Sequence, residues 1–274
     1  MPRVCILTDS TAQFTRTNFP GRERVFIASF DLQPVAHQGA NPRPPRFSDP
    51  RLIPPSLQTF LHLYQELSQT YDSILVMTVS SLLSPVAQHA LSASAQFSNH
   101  ADVEVLDTRT TAAGLGWLVE TAAGAASAGE TMGAVIQKVR AVIPYIYSLF
   151  FLPDLNTLAE NGHLSPAQAQ AAEILGMFPI FMLEDGRLSP LEKGHSPRAV
   201  VDCFEEFLDE FESPRRVALA HGAGQDSTRT RPLRQHIQEV HPEAHFSEHI
   251  FPPHLAALLG TKSIGMAIMQ KGSV

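Results

Sequence analysis

The sequence predicts an α/β fold in two domains, an N-terminal domain on a mainly parallel sheet with helices on both faces and a C-terminal mixed α+β domain. Three observations carry this. Short apolar, β-branched runs alternate with helix-length segments through the first half. The second half breaks that alternation with a hairpin signal at Asp185–Gly186 and closes on further strand runs. The 274 residues fit about two ordinary domains, and 44% hydrophobic residues against 17% charged suffice for a sizeable core.

The first-half strands are expected at 4–8, 25–32, 73–79 and 103–108, with helices at 56–67, 85–97 and 111–126 between them. The proline-rich stretch 33–55 reads as a long loop without regular structure. A helix over 129–143 leads to the Tyr145–Tyr147 region, where the domains divide as 1–146 and 147–274. The second half opens on a strand at 148–153. Two short helices then flank Asn161–Gly162, the second starting at Ser165-Pro166 with proline in its first position. A hairpin over 180–194 and an amphipathic helix over 200–212 follow, the latter with Val201, Phe204, Leu208 and Phe211 on one stripe. Strands at 217–222, 245–252 and 263–270 and a helix at 230–240 complete the chain.

Composition narrows the function. A net charge of −7 and no run of basic residues argue against nucleic acid. Cys5 sits inside an apolar strand pattern and Cys203 in an amphipathic helix pattern, and both read as buried small hydrophobes in a reducing compartment. The opening lacks a signal-peptide pattern and the longest apolar stretch, 141–153, is too short to span a membrane, so a cytoplasmic location is expected. There is no G-x-S-x-G, Walker A, H-E-x-x-H or C-x-x-C motif, and the GLG at 114–116 lacks the third glycine of a dinucleotide fingerprint.

Three strand ends carry hydroxyl-rich turns: TDST at 8–11, TVSSLLS at 78–84 and DTRTTAAG at 107–114. In a parallel sheet these ends share one rim. Hydroxyls and helix-start amides there suit a carboxylate or phosphate. Ser84 stands where a helix N-cap is expected, with Pro85 at the first helical position. Asp9 and Asp107 read either as acids in the cleft or as caps of the turns that follow them.

These pieces, in this order, resemble the DegV family. TDST matches its opening. SSLLSPVAQHA is similar to its S-S-x-L-S-G-T motif, and VLDTRTTAAGLGWLVETAA to its D-S…G-x-G segment. The block from Leu152 to Ser196 resembles its L-x-x-L-x-x-G-G-R-I…I-K-P-I…e-K-v-R run. The resemblance implies a non-catalytic protein that binds a long-chain fatty acid or similar lipid between two domains. It implies no cofactor, and a loaded form that offers the carboxyl to a separate ATP-dependent fatty acid kinase subunit. Ser84, with Ser10 and Ser81, would meet the head group, and His163 and His195 would hold the family's arginine positions. Leu52, Leu83, Leu164, Ile174, Leu175 and Phe178 would line the lipid tunnel, although the same residues suit ordinary core.

The departures from the family pattern are specific. Pro85-Val86 replaces the Gly-Thr after Ser84, Leu52 replaces a carboxylate-binding threonine, Phe178 a lysine and Leu258 a histidine, while Lys193 is kept. A buried carboxylate needs charge-assisted donors, so the remaining set is thin. Three rivals stay open. One is a scaffold with a neutral ligand. The second is a phosphate or nucleotide cradle at 221–229 with Arg229. The third is a metal site among His236, His241, His245, His249 and His254, for which surface histidines are the plainer reading.

Overall fold

The computed structural model describes residues 3–34, 50–98, 100–194, 196–224 and 227–272. Strands β1 (Val4–Asp9), β2 (Val25–Ala28), β5 (Ser73–Thr78) and β6 (Asp102–Asp107) form a four-stranded parallel sheet in the order β2-β1-β5-β6. β1 and β5 are buried along their whole length, which explains their doubly apolar sequence. Helices α1 (Leu57–Leu67) and α2 (Val86–Gln96) pack on each other and on this sheet. A second pair, α3 (Ala112–Ser127) and α4 (Met132–Val142), packs through α3 onto β1 and β5.

Two short strands correct the sequence reading. The 25–32 run is not one strand: after β2 the chain re-enters extended structure as β3 (Asp31–Gln33), which pairs with β4 (Arg51–Ile53) in a separate antiparallel ribbon. β4 lies inside the stretch expected to be irregular, and most of the rest of that stretch falls outside the described residues.

The second sheet has six strands in the order β11-β10-β12-β7-β8-β9. They are β7 (Ile146–Phe151), β8 (Phe178–Glu184), β9 (Arg187–Gly194), β10 (Pro214–His221), β11 (His245–Ile250) and β12 (Ile264–Gln270). Only β10 and β11 pair in parallel; every other neighbour is antiparallel. β8 and β9 form the expected hairpin, and Asp185 and Gly186 both take the left-handed backbone its two-residue turn requires. Helix α5 (Asn156–Glu160) precedes α6 (Pro166–Ile174), which begins with a full capping box between Ser165 and Gln168. Helices α7 (Pro197–Asp209) and α8 (Ser227–Val240) pack together, α7 by its apolar stripe.

One element was not expected. The seven-residue helix α9 (Pro253–Leu259) packs on β3 and β4. Its Leu255, Leu258 and Leu259 join the same core as β1 and β5, so the halves share one apolar interior. Among the described residues no helix is long and apolar enough to cross a membrane.

Candidate functional site

The rim at the carboxyl ends of β1, β5 and β6 is built as a network. Asp9 is buried and accepts three bonds: from the Thr11 amide at 2.9 Å, the Thr11 hydroxyl at 2.6 Å and the Val79 amide at 2.6 Å. Burial pushes its carboxyl up from the ordinary range, and these donors and the nearby His254 pull it back. Asp107 accepts from the Ser81 amide at 3.2 Å, the Ser81 hydroxyl at 2.5 Å and the Arg109 amide at 3.0 Å. Both acids therefore hold turns, the capping role the sequence allowed. Ser10 accepts the Phe30 amide at 3.0 Å, which leaves its proton to donate.

Ser84 differs from its neighbours. It is not the cap of α2: the turn closes earlier, with the Leu83 and Ser84 amides both donating to the Ser80 carbonyl, and α2 starts at Val86 with Pro85 at its N-cap. Freed from capping, the Ser84 side chain is 8% exposed and makes no hydrogen bond with a described residue. Other hydroxyls near these strand ends are also unmet. Thr8, Thr78, Thr110 and Thr111 each bury a hydroxyl oxygen without a partner among the described residues. Such groups cost about 1–3 kcal/mol each when left unmet, so the rim favours a polar guest or water.

The second half closes onto this rim through the β8–β9 hairpin, a contact that sequence reasoning missed. The Ser80 hydroxyl, fully buried, donates to the Gly186 carbonyl at 2.6 Å. A β-carbon at Gly186 would lie 2.5 Å from that hydroxyl oxygen. Asp185 adds an exposed ion pair to Arg109 at 3.8 Å. Two pockets lie against the hairpin. One, of about 420 Å³, is mostly apolar and includes Thr108, Thr110, Leu118, Ile146, Met182 and Leu183. The other, of about 280 Å³, brings together Leu83, His163 and Leu164 with Arg187.

The structure thus unites Leu83, Leu164 and His163, and places Ser10, Ser81 and Ser84 on one rim. It does not unite the rest. Ile174 and Leu175 are 76% and 71% exposed, a correction to their role as tunnel walls: α6 turns Ala169 and Ala172 inward, Ile174 lies on its other side, and Leu175 is the C-cap where the helix ends. Phe178 stacks on Phe151 in the second core. Leu52 and Leu258 are both buried in the first core, on β4 and α9, which pack against each other. His195 lies outside the described residues.

The rival sites gain little. The Gly222 and Gly224 amides donate to the Ser263 and Thr261 carbonyls, so they are not free for a phosphate. Among the described residues no group of three His, Cys, Asp or Glu could hold a metal.

Burial holds the His163 imidazole below the ordinary histidine range, and the Leu83 carbonyl acts weakly the other way. With a depressed folded-state pKa, the unfolded chain binds more protons in the window between the two values. The stability tied to neutral His163 is present above the ordinary histidine pKa and is lost as pH falls through that window. On acidification from about pH 7.5 to about pH 5, His163→Gln is expected to lose less Tm than the parent. An equal loss would move the effect to another group, such as His249, which burial shifts in the same direction.

Comparison with known proteins bears on this geometry. A sequence profile described as "Uncharacterised protein, DegV family" matches residues 50–271. A DegV domain-containing protein of Listeria innocua is 24% identical over 216 residues, 77% of this chain and 75% of its own. A fatty acid binding DegV family protein of Streptococcus agalactiae superposes with a TM-score of 0.82 at 18% identity, over 99% of this chain and 100% of that one. The Streptococcus pneumoniae fatty acid kinase B3 protein, loaded with linoleic acid, does so with a TM-score of 0.79 at 16% identity, over 98% and 99%. At these identities the superpositions establish a shared fold.

Proposed function

The chain belongs to the DegV family, and from that premise we propose that it binds a long-chain fatty acid or similar lipid in a cleft between two domains, residues 1–146 and 147–274. Its role is to hold the ligand, without catalysis or cofactor, in the cytoplasm. It presents the carboxyl to a separate ATP-dependent kinase subunit, a role supported by the likeness to a fatty acid kinase B3 protein.

The observation that carries this reading is the Ser84 hydroxyl, nearly buried on the rim and bonded to no described residue. It is the main head-group contact. Ser10 contributes its free proton, and Ser81 contributes only by leaving Asp107. His163 stands at the mouth. Leu83 and Leu164 line the first stretch of acyl chain, and the mostly apolar 420 Å³ pocket has a volume suited to a small ligand.

Native mass spectrometry of the purified protein, followed by denaturing extraction, tests the reading. A fatty acid at about one per chain is expected. An empty protein would count against it. A neutral lipid at the same stoichiometry would favour the second reading, which Leu52 and Leu258 support by placing apolar side chains where the family resemblance implies polar ones.

A further inference from the structure

A third pocket, of about 380 Å³, is framed by Arg16, Pro20, the outer part of α3, Lys138 of α4 and the start of β10. Its charges do not balance. Arg216 pairs with Glu120 at 2.7 Å, with both side chains largely buried, and Lys138 pairs with Glu130. Those pairs use both carboxylates of the lining. Arg16 and Arg215 remain, and neither has an ion-pair partner among the described residues. Two uncompensated guanidinium groups thus face one cavity, in a chain whose formal net charge is −7.

Independent observations show what the pocket lacks. Arg16 Nε is buried without an acceptor, and Glu120 Oε1 is buried without a donor. Both Arg16 and Arg215 lie close enough to Arg216 to disfavour its charged form, in addition to the effect of burial. An anion placed among them would relieve that repulsion. Phe19, Val142 and Met269 give the lining an apolar side. Planar guanidinium groups match the oxygens of a phosphate two at a time.

We propose that this pocket binds a small phosphorylated molecule, its phosphate held by Arg16 and Arg215. The site is separate from the serine rim and independent of the lipid reading.

Trp117, the only tryptophan, reports on it directly. Its indole Nε1 donates to the Thr15 hydroxyl at 3.0 Å, next to Arg16, and it lies one helical turn before Glu120. Ribose 5-phosphate titrated into the full-length protein is expected to change Trp117 fluorescence saturably and to raise Tm. Free ribose should do neither. Arg215→Gln, at an exposed position, should weaken the effect by about tenfold or more, as should Arg16→Gln. Equal affinity for inorganic phosphate would uphold the site and confine recognition to the anion. No saturable response to either phosphate probe would overturn the proposal, as would a response unchanged in Arg215→Gln.

Discussion

Gly116→Ala is expected to destabilise the protein severely, while Gly124→Ala in the same helix is expected to stabilise it. At Gly116 a β-carbon would stand 2.1 Å from the Gln13 carbonyl oxygen and 2.8 Å from its carbon. The obstacle is backbone, and that backbone is pinned. The Gln13 amide donates to the Ala112 carbonyl at 3.0 Å, and its side-chain amide donates to the Ile250 carbonyl at 3.1 Å. Neither α3 nor the 10–14 turn can yield without breaking those bonds. Overpacking of this kind costs about 3 kcal/mol, roughly 6–12 °C in Tm for a chain of this size. At Gly124 nothing lies within 4 Å of the added carbon. The helix there gains the ordinary advantage of alanine over glycine, about 1 kcal/mol. Urea midpoints of the two variants would separate in opposite directions. A Gly116→Ala midpoint within about 0.5 kcal/mol of the parent would mean that the turn moves freely.

The same glycine shows where a sequence stops being legible. Gly114 and Gly116 look like the start of a dinucleotide fingerprint because spacing is a local property. Gly116 is used for a close approach to Gln13, about a hundred residues earlier, which spacing does not encode. Features governed by local rules were readable: the buried strands from their apolar runs, the hairpin from Asp185–Gly186, the start of α6 from Ser165-Pro166. Those governed by distant partners were not. β3 and β4 are three residues each and owe their extended form to each other. α9 is seven residues long and is held by the ribbon it covers. Ile174 and Leu175 were placed by motif order, whereas the inward face of α6 is set by Ala169 and Ala172. On the rim, Ser84 could be singled out from sequence. That Ser80 is the residue bound to the hairpin could not, because its partner lies 106 residues away.

The two serines should therefore part company under mutation. Ser80→Ala removes the donor to the Gly186 carbonyl and leaves a buried acceptor unmet. A cost of about 1–3 kcal/mol in stability is expected, whether or not ligand is present. Ser84→Ala removes a hydroxyl that no described residue uses, so the ligand-free protein should keep its urea midpoint within about 0.5 kcal/mol. Its effect should appear in the ligand. A hydrogen bond to a carboxylate contributes about 1.5–3 kcal/mol, which corresponds to a loss of roughly 10- to 100-fold in affinity. The upper part of that range is the expectation, because Leu52 and Leu258 leave few donors to take over. Fatty acid retained through gel filtration, measured beside the urea midpoint of delipidated protein, separates the two effects. If Ser84→Ala retained fatty acid as the parent does, the carboxylate would have to sit elsewhere on the rim, with the unpaired hydroxyls of Thr8 and Thr78 as the next donors to test. If it lost stability and ligand in proportion, Ser84 would be a packing residue and the head-group assignment would fail.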